Sequence, residues 1–199
     1  MQDATKFVGI DYGAKLAGTT AVAFVKDGQL QLKQSQRGQN ADEWIWGIIN
    51  ELHPKAVYID APLSLPAVYT QGVFTSDSEY FYRACDKEVQ AMSPMFIGGL
   101  TARAIQLRAR LSEAGIAMLE TYPSQLRKVL LSHLPDYKKS PAALPVFSEA
   151  LQGLLPFTLA QSPANWHQFD SLLAWLSGYR HTQGNSILYG DAREGRIVV

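Results

Sequence analysis

Three short apolar runs in this chain each stop on an acidic residue: Val8-Gly9-Ile10 before Asp11, Ala56-Val57-Tyr58-Ile59 before Asp60, and Ile116-Ala117-Met118-Leu119 before Glu120. Runs this short, bounded by turn-forming residues, read as buried strands rather than helices. In open α/β sheets, ligands bind beyond the carboxyl ends of parallel strands, where side chains from separate segments converge. The pattern predicts a sheet that can gather Asp11, Asp60 and Glu120 at one end. Taken singly, an Asp after a strand is also an ordinary turn former or helix cap.

The intervening segments supply the rest of an α/β fold. Thr19 to Val25 is a further apolar run, and Lys26-Asp27-Gly28 followed by alternating Leu30 and Leu32 signals a hairpin, so the first three strands are antiparallel. Asn40 and Glu43 are spaced as a capping box, and Trp44, Ile45, Ile48, Ile49 and Leu52 recur at helical spacing up to His53-Pro54. Strand, helix, strand then implies a right-handed crossover to a parallel neighbour. Residues 63–99 are loosely patterned and read as an insertion, with Ser76 and Glu79 capping a helix that runs to Val89. Leu100, Ala104, Leu107 and Leu111 form the next helical stripe, which Gly115 ends. A short helix from Pro123 to about Leu131 leads into a proline-rich stretch with one brief helix. Ser162-Pro163 reads as the cap and first turn of a last helix reaching His181, with Trp166, Phe169, Leu173 and Leu176 inward.

At 199 residues and 47% hydrophobic, the chain can build one domain over 1–199 without disulfides or structural zinc. Lys+Arg and Asp+Glu balance at 18 each, which removes any broad attraction for nucleic acid or membrane and makes polyanion binding a local matter. Cys85 is the single cysteine, so no intramolecular disulfide forms; it reads as a small core residue in a reducing cytoplasm. The start Met1-Gln2-Asp3-Ala4-Thr5-Lys6 lacks a signal-peptide pattern, and no stretch of about 18 apolar residues suggests a membrane span. His53, His133, His167 and His181 lack paired zinc-ligand spacing. No Walker loop, nucleophile elbow or dinucleotide fingerprint is present.

Asp170 lies four residues after Trp166 and three before Leu173, on the apolar face of the last helix. A carboxylate aimed inward must find a cation, a metal ion or donors, or become protonated. Several close carboxylates suit a hard divalent cation such as Mg²⁺ or Mn²⁺; a salt bridge or a cap is the plainer use of Asp170. His167, one turn before it, is a candidate proton carrier or a structural residue. Arg83 and Asp86, three apart, can pair on a helix surface or face a cleft together.

These segments, Val8-Gly9-Ile10-Asp11-Tyr12-Gly13, Asp60-Ala61-Pro62-Leu63, Arg83-Ala84-Cys85-Asp86, Glu120-Thr121-Tyr122-Pro123 and Asp170-Ser171-Leu172-Leu173-Ala174, resemble the family called domain of unknown function 429 over nearly the whole chain. That family is classed as predicted nucleases. The resemblance implies an RNase H-like three-layer fold: a mixed five-stranded sheet, first three strands antiparallel and the others parallel, flanked by helices. It further implies a site of Asp11, Asp60 and Asp170 holding metal, with Glu120 joining or supporting it. Arg83 and Asp86 become family-motif residues on the substrate side, with Arg83 able to orient a phosphate. Lys15, Arg103 and Arg127 are further phosphate-contact candidates, or simply solvated.

The leading expectation is a metal-dependent nuclease acting on nucleic acid through these carboxylates. An actin-like or sugar-kinase-like phosphotransferase shares the opening Asp-X-Gly and hairpin, but 199 residues supply one of its two subdomains, so a homodimer would be needed. A non-catalytic nucleic-acid- or protein-binding module is the third class. Tyr69, Phe74, Tyr80, Phe81 and Tyr82 can stack bases or pack in a core.

Overall fold

The structure is a computed structural model and describes residues 6–72 and 74–199. The leader reading at residues 1–5 falls outside them. The chain runs through β1 (Phe7–Asp11), β2 (Ala21–Lys26), β3 (Gln29–Gln34), α1 (Ala41–Leu52), β4 (Ala56–Asp60), α2 (Ala67–Gln71), α3 (Ala84–Val89), α4 (Gly98–Glu113), β5 (Ala117–Glu120), α5 (Pro123–Leu130), α6 (Leu144–Gln152), α7 (Trp166–Thr182), β6 (Leu188–Asp191) and β7 (Gly195–Val198). The main sheet has five strands in the order β3-β2-β1-β4-β5. β1, β2 and β3 are antiparallel, whereas β4 lies parallel to β1 and β5 parallel to β4. This is the mixed five-stranded arrangement, first three strands antiparallel and the others parallel, that the family resemblance implied.

Period-two alternation along the strands divides the interior into two layers. Val8, Ile10, Val22, Phe24, Val57 and Ile59 meet α1 and α4 on one face of the sheet. Phe7, Ala23, Val25 and Tyr58 meet α5, α6 and α7 on the other. The β2–β3 turn is built as the sequence predicts: Asp27 and Gly28 both adopt left-handed backbone, as a two-residue hairpin turn requires. α1 begins at Asn40, whose side chain accepts from the Asp42 amide, and ends at left-handed His53. Glu43 pairs with Arg110 instead of closing a capping box.

Three local expectations are corrected. The helix expected from Ser76 to Val89 begins only at Ala84, because Glu79 accepts from the amides of Phe81 and Tyr82 and makes a turn. The last helix starts at Trp166, where Asn165 accepts from the amides of His167 and Gln168; Ser162-Pro163 lies in the preceding loop. β5 is an edge strand and only partly buried. The β6–β7 hairpin, short and largely half-exposed, had no strong signal in the sequence. No helix among the described residues is long and apolar enough to cross a membrane.

Two glycines seat α7 on the sheet. A Cβ on Gly9 of β1 would lie 2.2 Å from the Trp175 amide nitrogen and 2.5 Å from the Ser171 carbonyl oxygen, so the helix backbone runs directly against the strand. Lower on the same helix, a Cβ on Gly178 would lie 2.5 Å from the Tyr58 ring. Such close approach is possible only where a side chain is missing.

Candidate metal centre

In the parallel ladder Asp11 stands directly beside Asp60. Both occupy the pleat positions that face α7, one step past Phe7 and Gly9 on β1 and past Tyr58 on β4. The Gly9 contact lowers α7 onto this same face and brings Asp170 to the pair. One carboxylate oxygen from each of Asp11, Asp60 and Asp170 then lies within 4.8 Å of the others. Asp170 is fully buried, Asp11 nearly so, and Asp60 partly so.

Around this cluster the chain supplies three protonic partners. His167, one turn before Asp170, places Nδ1 2.7 Å from Asp11 Oδ2, with its side chain 44% exposed. The Asp11 hydrogen bond raises the His167 pKa against the opposing effect of burial. Tyr137 donates its hydroxyl to Asp170 Oδ1, and the Lys138 ammonium pairs with Asp170 Oδ2. Neither residue stood out in the sequence, because Asp136-Tyr137-Lys138-Lys139 sits in the proline-rich loop and carries no motif.

Burial raises the Asp60 pKa well above the carboxylate range, and the charges of Asp11 and Asp170 raise it further. Asp170 is likewise raised by burial, which Lys138 offsets only in part. The cluster therefore carries more negative charge than its surroundings compensate. All its donors are hard carboxylate oxygens from three separate elements, and a small divalent cation fits that donor set.

Glu120 does not join the three. Its register partner is Ile59, not Asp60, so the pleat turns it to the opposite side of the sheet. There Arg83 donates to Glu120 Oε2 and Oε1 at 2.7 and 2.6 Å, to Asp86 Oδ2 and Oδ1 at 3.0 and 2.6 Å, and to Ser64 Oγ at 2.8 Å. All five guanidinium N–H groups are used, and the side chain is fully buried. Arg83 and Asp86 are thus an internal clamp that ties α3 to the end of β5, with no donor of Arg83 left for a phosphate. The Leu63 amide also donates to Glu120, at 2.9 Å, which links the clamp to the segment following Asp60. A cavity of about 170 Å³ lies between clamp and cluster, bounded by Asp11, Asp60, Asp86 and Glu120 and by the apolar side chains of Met92 and Ile97.

The remaining candidates lie apart. Lys15 is exposed and lines a separate groove with Asn40, Asp42 and Arg103. Arg103 is bound rather than solvated: it donates to Asp42 Oδ2 and Oδ1 at 3.0 and 2.6 Å, and its guanidinium lies 4.6 Å from the centre of the Tyr12 ring. The Arg127 guanidinium lies 5.0 Å from the Tyr137 ring centre. Tyr69, Phe74 and Tyr80 pack on one another at the surface, and Phe81 and Tyr82 pack on Phe96, so these rings do not enter the main core. Cys85 is free and buried.

Several solved structures resemble this chain. The yeast mitochondrial Holliday junction resolvase Ydc2 matches with a TM-score of 0.44 and 12% sequence identity, over 91% of this chain and 82% of that one. No protein-family model and no curated protein matches the sequence. The resemblance to domain of unknown function 429 therefore rests on the motifs themselves.

Proposed function

We propose that the protein is a metal-dependent nuclease that hydrolyses phosphodiester bonds of nucleic acid at Asp11, Asp60 and Asp170. The observation that carries this reading is the meeting of three carboxylates from β1, β4 and α7 within 4.8 Å, at the carboxyl ends of two parallel strands. The RNase H-like topology and the motif resemblance favour nucleic acid as the substrate, and the all-oxygen donor set favours Mg²⁺ or Mn²⁺.

Asp11, Asp60 and Asp170 would hold the cation. When bound, it supplies Lewis-acid activation of water and stabilisation of the departing oxygen. The protein's own contribution is arrangement. Asp11 and Asp60 are fixed by adjacent positions in the ladder, and Asp170 by the Tyr137 hydroxyl and the seat of α7 on Gly9. His167, half exposed beside Asp11, is placed to exchange a proton with solvent. The Arg83 clamp positions the cavity wall on the other side.

The test is cleavage of labelled single-stranded, duplex and branched DNA and RNA by wild type and Asp60→Asn, each with Mg²⁺ or Mn²⁺. Wild type is expected to cut at least one class and the variant to lose at least 100-fold. A folded, metal-loaded wild type inert on every substrate overturns the reading. Stabilisation by ATP with no cleavage would favour a phosphotransferase instead.

A further inference from the structure

Lys138 sits where the charge of a metal ion would be needed. Its ammonium pairs with Asp170 Oδ2 and interacts electrostatically with Asp11 and Asp60. The loop that delivers it is strained: Asp136 and Lys138 both adopt left-handed backbone, with φ of 64° and 60°. Residues other than glycine adopt that conformation at a cost, so other contacts must hold the loop in place. The contacts of Tyr137 and Lys138 with Asp170 do so together with the packing of the Tyr137 ring on Phe147, Trp166 and Phe169.

Asp170 is wholly buried, whereas the Lys138 side chain is 46% exposed, on a flexible stem. The carboxylate cannot leave, but the ammonium can. A divalent cation held by Asp170 would share this buried carboxylate with the Lys138 ammonium, and like charges that close repel, so metal binding and the Lys138 contact oppose one another. Once displaced, the ammonium has lost its partner at the edge of the cluster, where the anion a nuclease brings is a substrate phosphate.

We propose that Lys138 is a resident counter-ion that competes with the metal for Asp170, and that substrate phosphate draws it off, so that metal loading is coupled to nucleic-acid binding. This rests on the nuclease reading above. It assigns Lys138 a regulatory, positioning role at that site. Binding of nucleic acid and of metal then strengthen one another reciprocally.

The test is Mn²⁺ binding by wild type, Lys138→Met and Lys138→Gln, with and without a phosphorothioate oligonucleotide, each protein first checked for native near-ultraviolet circular dichroism. Without oligonucleotide, both variants are expected to bind Mn²⁺ about tenfold more tightly than wild type, a typical coupling magnitude. The oligonucleotide is expected to raise the affinity of wild type but not of the variants. A merely structural lysine predicts the reverse, since its loss would loosen the site and weaken metal binding. Equal or weaker Mn²⁺ binding in whichever variant is folded overturns the role of Lys138 and leaves the metal centre standing. Absence of Mn²⁺ binding in all three proteins overturns both.

Discussion

Replacing Gly9 by Ala tests whether the fold builds the site through the contact of α7 with β1. The added Cβ would lie 2.2 Å from the Trp175 amide nitrogen, and ordinary contacts begin near 3.4 Å. The obstacle is backbone, which no rotamer change can clear, so α7 must retreat by roughly 1 Å. Overpacking of this kind costs about 1–3 kcal/mol, more than the roughly 0.4–1 kcal/mol that Ala gains over Gly through the unfolded chain. The same retreat carries Asp170 away from Asp11 and Asp60, and metal sites tolerate only about 0.2 Å of ligand misplacement. Urea unfolding of Gly9→Ala should therefore show a net loss of about 1–2 kcal/mol. Mn²⁺ affinity should fall about 10- to 100-fold, as when outer-shell support of a metal ligand is removed. A variant with wild-type stability and wild-type Mn²⁺ affinity would refute the link between the Gly9 contact and the cluster.

Three further outcomes are expected. Asp60→Asn should leave the metal-free protein as stable as wild type or more so, because it removes a carboxyl that burial and two neighbouring charges already disfavour in its ionised form, and it should abolish any rise in melting temperature with Mn²⁺. Without metal, stability should fall as pH rises from the ordinary Asp range through the raised folded pKa values of Asp60 and Asp170, because the native state there binds protons that the unfolded chain has released. The raised His167 pKa adds to this trend: its contribution is full below the ordinary His range and is lost as pH rises through the folded value. Metal stabilisation should grow over the same interval; melting curves from pH 5 to 8 with EDTA or Mn²⁺ check both, and metal-free stability that increases with pH would contradict them. Arg83→Met should destabilise the fold by about 3–5 kcal/mol in urea unfolding, since it leaves two buried carboxylates without their cation.

The carboxylate cluster was partly legible in the sequence because its cause is local. An apolar run ending in Asp fixes which pleat face the acid takes once the strand is buried, and Asp11 and Asp60 stand in parallel register. Asp170 was legible from helical periodicity alone. Glu120 followed the same pattern but pairs with Ile59, and a one-residue difference in register sends a strand residue to the other face. Register is a tertiary property that no run of residues states by itself. Arg83 and Asp86 were visible as a motif, but their burial depends on Glu120 arriving from β5, 37 residues on from Arg83. Tyr137 and Lys138 were illegible because a loop with two left-handed, non-glycine residues has no periodicity to read. The caps misplaced at Ser76 and Ser162 show how a strong local signal yields to competing donors and acceptors nearby, here Glu79 and Asn165.

The most direct measurement is depletion of the free Mn²⁺ electron paramagnetic resonance signal by wild type and by Asp60→Asn, in the presence of a phosphorothioate oligonucleotide. Wild type is expected to remove Mn²⁺ saturably at a fixed ratio, and Asp60→Asn to leave the signal untouched. Equal depletion by the two proteins, or none by wild type, would contradict a metal centre at Asp11, Asp60 and Asp170.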